Sequence, residues 1–99
     1  MIRGTTPTLR FYLPFSVELL EVAYITMQQG GETVIEKTLS ECTAEQNVIS
    51  VKLTQEETLK LHVGSTVEIQ IRAKTAKDDA LASNIMRESA DRILKEGVI

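Results

Sequence analysis

One cysteine, one histidine, no tryptophan and only four other aromatic residues stand in a chain of 99. A lone Cys42 cannot close an internal disulfide, which excludes a disulfide scaffold and a cysteine-based zinc site. A lone His62 leaves no histidine pair for a metal. No apolar run approaches the ~18 residues that cross a bilayer. The opening residues Met1-Ile2-Arg3-Gly4-Thr5-Thr6-Pro7 lack the basic-then-apolar pattern of an export signal. No repeat, linker or low-complexity tract divides the chain, so one domain over 1–99 is expected.

What is present is ordinary for a soluble globular domain. Hydrophobic residues make up 42% and charged residues 25%, enough for one modest core at this length. Charge is uneven along the chain: +2 over residues 1–17, −6 over 18–57 and +1 over 58–99, which sum to the net −3. A nucleic-acid binder shows a basic stripe with interleaved aromatics. The acidic middle repels phosphate, and the aromatics Phe11, Tyr12 and Phe15 crowd one stretch, so no nucleic-acid partner is expected.

Alternation with period two recurs through most of the chain and marks half-buried strands. In residues 8–13, Leu9, Phe11 and Leu13 share one face, and Pro7 and Pro14 bracket the run because proline donates no ladder hydrogen bond. Residues 19–28 form a longer apolar run, with Ala23, Ile25 and Met27 opposite Leu20, Val22, Tyr24 and Thr26. Gln29-Gly30-Gly31-Glu32 then supplies a tight turn, since glycine tolerates positive φ. Residues 33–39 return as the second arm of that hairpin. Residues 40–46 read as a polar connector, and 47–53 as a further strand with Ile49, Val51 and Leu53 inward. Val67, Ile69 and Ile71 alternate against Glu68, Gln70 and Arg72 in the cleanest amphipathic strand.

Two segments read differently. Thr54 followed three residues later by Glu57 is a capping-box signature, predicting one or two helical turns that Gly64 ends. Over 79–96, Leu81, Ile85, Met86, Ala90, Ile93 and Leu94 recur at helical spacing, with Asp78 or Asp79 as a cap and Gly97 as a stop. The alternative is a hairpin through Ala76-Lys77-Asp78-Asp79 that returns 80–90 as a strand.

No constellation for catalysis emerges. Cys42 and His62 fall on different connectors, and Glu41 and Glu45 flanking Cys42 raise a thiol pKa rather than lower it. Glu56 and Glu57 suit the positive end of a helix dipole, and Asp78-Asp79 is an ordinary polar turn. No phosphate loop, dinucleotide fingerprint, serine elbow or calcium-loop pattern is present, so neither enzymatic activity nor a cofactor is expected. The surplus of large apolar groups is more telling. Phe11, Tyr12 and Phe15 cannot all be buried on one side of a strand, and Val98-Ile99 is an apolar ending. These five residues are the candidate interaction surface.

Several stretches together carry a resemblance: Thr6-Pro7-Thr8-Leu9-Arg10-Phe11-Tyr12-Leu13-Pro14, Leu53-Thr54-Gln55-Glu56-Glu57-Thr58-Leu59, Ile69-Gln70-Ile71-Arg72, Ala82-Ser83-Asn84-Ile85 and Ile93–Ile99. The chain resembles small virion structural proteins encoded by phages and prophages of low-GC Gram-positive bacteria. It is distantly similar to the amino-terminal β-sandwich domain of phage upper-baseplate proteins. Five strands separated by short turns, with little helix, already indicate an all-β sandwich or small barrel; with the resemblance, the expected fold is an immunoglobulin-like sandwich of about six or seven antiparallel strands with one short helical turn near 54–61. The resemblance favours strand over helix for 80–90, with Ile93–Glu96 a terminal turn. It carries no catalytic residue. It implies a non-enzymatic assembly component that meets copies of itself and other phage structural proteins, in the virion or in the bacterial cytoplasm during assembly. The alternative is a small carbohydrate- or ligand-binding β module, for which Tyr12 or Tyr24 serves only singly as a platform.

Overall fold

The alternating runs pair into two antiparallel sheets in a computed structural model that describes residues 1–99. β1 (Thr8–Tyr12), β4 (Thr43–Glu45) and β5 (Val48–Lys52) form a three-stranded sheet in the order β1-β5-β4. β2 (Leu20–Gln29), β3 (Glu32–Thr38) and β6 (Val67–Thr75) form the other in the order β3-β2-β6, and β6 also pairs with β7 (Ala80–Ala82) and β8 (Met86–Glu88). One helix, α1 (Gln55–Leu59), connects β5 to β6, and single 3-10 turns occupy 17–19 and 39–41. The architecture is all-β and sandwich-like, and no helix is long and apolar enough to cross a membrane.

On β5 and β6 the apolar faces of the alternation are the buried ones, whereas on β2, apolar on both faces, packing selects one. Ala23, Ile25 and Met27 of β2, Ile69 and Ile71 of β6, and Ile49 and Val51 of β5 are buried in one cluster with Leu53 and Leu61. Burial of this kind is worth about 1.5–3 kcal/mol for each large aliphatic side chain. The β2–β3 hairpin closes through Gly30 and Gly31, both at positive φ. A bulge follows it, where Gln28 pairs with Thr33 and Met27 with Ile35, leaving Val34 without a facing residue.

The structure departs from the sequence pattern in the two least regular stretches. Residues 40–46 are not only a connector. Thr43–Glu45 adds β4 to β5 around the two-residue turn Gln46-Asn47, where Gln46 takes a left-handed φ of 55°. Residues 80–90 are extended rather than helical, yet split into β7 and β8. Between them the Ser83 hydroxyl accepts from the Ile71 N–H at 3.1 Å, so a side chain replaces a ladder carbonyl. The hairpin lacks a turn glycine, and Asp78 takes that role at φ 67°, a conformation aspartate tolerates better than most residues. Residues 94–95 form a bend rather than a helical turn.

The two termini of the described chain meet. Ile2 bridges Asp91, and Arg3 fastens the junction. Arg3 Nε donates to the Leu61 carbonyl at 2.8 Å, Nη2 to the Leu59 carbonyl at 3.0 Å, and Nη1 pairs with Glu96 at 2.8 Å. A guanidinium at the carboxyl end of α1 satisfies carbonyls that the helix itself leaves free.

Candidate functional site

The five candidate surface residues do not form one patch. Phe11 is only 7% exposed and sits in the core, which removes it from the surface. Its position on the inward register of β1, opposite Ile49, is the reason. Phe15 is half-buried against the same cluster. Tyr12, one residue on and therefore on the opposite face, is exposed over 73% of its surface. Val98 and Ile99 are exposed too, although the backbone of Ile99 is held: its N–H donates to Gln55 Oε1 at 2.9 Å and its carbonyl accepts from Gln55 Nε2 at 3.3 Å. Tyr12 pairs across with Val48, whereas Val98 lies beside Lys52, which pairs with Thr8. Four residues of strand separate those two ends, about 13 Å.

Around Tyr12 the outward face of the three-stranded sheet forms a shallow groove of about 360 Å³ with Arg10, Thr43, Glu45, Val48 and Ser50 along it. On β1 and β5 the groove residues alternate with core residues, so the strand period that buries Phe11 and Ile49 also sets that side of the groove, while β4, exposed throughout, closes it. Arg10 and Glu45 enter no ion pair within the protein. The groove thus combines one phenol ring, one cation, one carboxylate and the aliphatic hydroxyls of Thr43 and Ser50.

The strongest electrostatic coupling lies elsewhere. Lys37, on the inward register of edge strand β3 and 9% exposed, places Nζ 2.5 Å from Glu57 and 3.6 Å from Glu41. Both glutamates close capping boxes. Glu57 Oε1 accepts from the Thr54 N–H at 2.9 Å, and Glu41 Oε1 from the Thr38 N–H at 3.0 Å. The hydrogen bond to Glu57 raises the Lys37 pKa against the opposing effect of burial. Partial burial pushes Glu57 upward, but its bonds to Lys37 and Thr54 outweigh that and hold it below the usual carboxylate range. Glu41 is lowered chiefly by its bonds from Thr38. The spacing Thr38–Glu41 matches that of Thr54–Glu57, so the second box was detectable in sequence; the lysine that joins them was not.

Cys42 and His62 are not brought together. The Cys42 thiol donates to the Thr38 carbonyl at 3.3 Å, at one end of β3. The His62 backbone clasps Gln29 beside the other end, with its N–H on Gln29 Oε1 and its carbonyl on Gln29 Nε2, both at 2.8 Å. The six-residue span of β3 puts these neighbourhoods about 20 Å apart. Burial, and then the charge of Glu41, raise the Cys42 pKa. No group of three or more His, Cys, Asp or Glu side chains is arranged to hold a metal ion. No protein family, curated protein or solved structure was found that matches the chain.

Proposed function

We propose that this protein is a non-enzymatic structural or assembly component of a phage or prophage particle, associated with its baseplate or tail. It acts through protein–protein contacts with further copies and with other particle proteins. The resemblance carried by residues 53–59 and 69–72 motivates the phage context. The observation that carries the assembly role is the bare Tyr12 on a sheet face. Large aromatic side chains are favoured at the centres of interfaces. Ile99, 90% exposed although its backbone is docked on α1, offers a second apolar contact. The test is to induce particle release from the bacterium that carries the gene, purify the particles on a gradient and identify their proteins by mass spectrometry. This chain is expected at a fixed stoichiometry to the other particle proteins. Its absence from intact particles overturns the reading.

A second reading, a carbohydrate-binding β module, draws on the groove beside Tyr12. A sugar ring stacks its C–H face on an aromatic while its hydroxyls bond side chains such as Arg10, Thr43, Glu45 and Ser50. Thermal-shift measurements against an oligosaccharide panel test it, because a ligand that binds only the folded state raises Tm. A shift that Tyr12→Ala abolishes favours this reading over assembly.

A further inference from the structure

The two sheets have four edges, and three carry features that obstruct another strand. β3 is bulged at Val34 and turns the charge of Lys37 inward. β4 is three residues long. The edge formed by β7 and β8 consists of two three-residue pieces, interrupted where Ser83 folds back onto Ile71. β1 has none of these. Its five residues pair with β5 in continuous register, flanked but not broken by Pro7 and Pro14.

The direction of each backbone group on β1 follows from its ends. The Leu13 N–H donates to the Asn47 carbonyl at 2.8 Å, and the Pro7 carbonyl accepts from the Leu53 N–H at 2.9 Å. Antiparallel alternation then points Pro7, Leu9, Phe11 and Leu13 toward β5 and turns the N–H and C=O groups of Thr8, Arg10 and Tyr12 outward. Those three residues are exposed, and no strand lies on that side of them. The edge therefore presents a row of unpaired donors and acceptors to an extended chain.

We infer that a second copy of this chain pairs antiparallel along the β1 edge, with Arg10 of each copy opposite Tyr12 of the other. Two three-stranded sheets become one of six strands. The edge is self-complementary in this register: the cation and the aromatic ring sit two residues apart, so a two-fold axis at Phe11 brings each guanidinium to the other copy's ring. A slip by one residue fails, because outward-pointing groups would face inward-pointing ones. The register centred on Arg10 sets like charges directly opposite, which is unfavourable. Pro14, lacking an N–H, ends the ladder beyond Tyr12 and leaves about four backbone hydrogen bonds across the axis. The inference rests on the assembly reading for its biological use and deepens it by naming the surface where copies meet.

The test combines sedimentation velocity with residue-resolved amide exchange on the full chain at low and high concentration. The expected result is a species of twice 11.0 kDa at high concentration. With it, exchange at Arg10 and Tyr12 slows roughly tenfold or more, while Leu9 and Phe11, already bonded to β5, are unchanged. Arg10→Pro deletes an outward N–H that β5 does not use and is expected to yield a monomer. Tyr12→Lys keeps the backbone edge but opposes two cations, and is expected to weaken association at least about tenfold. A chain that stays monomeric at about 1 mM, where the edge amides still exchange fast, overturns the inference. So does a dimer whose Arg10 and Tyr12 amides remain unprotected, or one indifferent to Tyr12→Lys. Failure of the two proposals is distinguishable: a dimer absent from particles sinks only the assembly reading, and a monomer found in particles sinks only the edge pairing.

Discussion

Lys37 and Glu57 join the two halves of the molecule: a lysine on the edge of the five-stranded sheet holds, at 2.5 Å, the glutamate that caps the helix after the three-stranded sheet. Removing the lysine leaves a carboxylate with restricted access to water. Lys37→Met is expected to lower unfolding free energy by about 1–3 kcal/mol at neutral pH, less than for a fully buried pair because Glu57 keeps part of its hydration. Urea denaturation of Lys37→Met, Glu57→Gln and the double variant checks it. If the two single losses simply add, the pair is not coupled.

The same cluster sets an acid dependence. Glu57 and Glu41 both ionise more readily when folded than when unfolded. Their contribution is complete above about pH 4.5 and drains away as the pH falls through their lowered folded values. Lys37 has the opposite sign: its raised pKa contributes fully below about 10.5 and is lost as pH climbs beyond its folded value. Thermal unfolding followed from pH 7 to pH 3 should show a Tm decline that Glu57→Gln makes shallower.

Gly4 is held mainly by its backbone angle, because the side chain it faces ends in a movable methyl. It sits at φ +72°, and a Cβ there would lie 2.9 Å from Ile93 Cδ1. Gly4→Ala is expected to cost about 1–2 kcal/mol from the left-handed backbone alone. Chemical denaturation measures the loss. An unchanged midpoint would mean that this junction between the two ends of the chain adds little to stability.

Cys42 should react slowly. Burial and the Glu41 carboxylate hold its thiol protonated, and only the thiolate is nucleophilic. Alkylation by iodoacetamide at pH 8 is expected to run about threefold or more below the rate of an unhindered cysteine. Glu41→Gln should accelerate it. Mass spectrometry over time gives both rates.

Period-two alternation over residues 8–13, 19–28, 33–39, 47–53 and 67–72 was enough to locate five strands, and over 47–53 to give the inward face, because side-chain direction along a strand is a local property. The capping box at Thr54–Glu57 marked α1 for the same reason: its partners lie one turn apart. Residues 80–90 escaped such reading. Their spacing fits a helix, but β6 offers ladder hydrogen bonds that only a neighbour distant in sequence can supply. Likewise, nothing local to Lys37 tells that its ammonium turns inward to glutamates from two capping boxes. Nothing local to the Phe11-Tyr12 pair tells which ring would be covered. The alternation says that the two rings face opposite ways, and the packing of β1 over β5 and the facing sheet decides that Phe11 is sealed and Tyr12 left bare. Local steric preference writes the pleat, but burial depends on what the rest of the chain lays against each side.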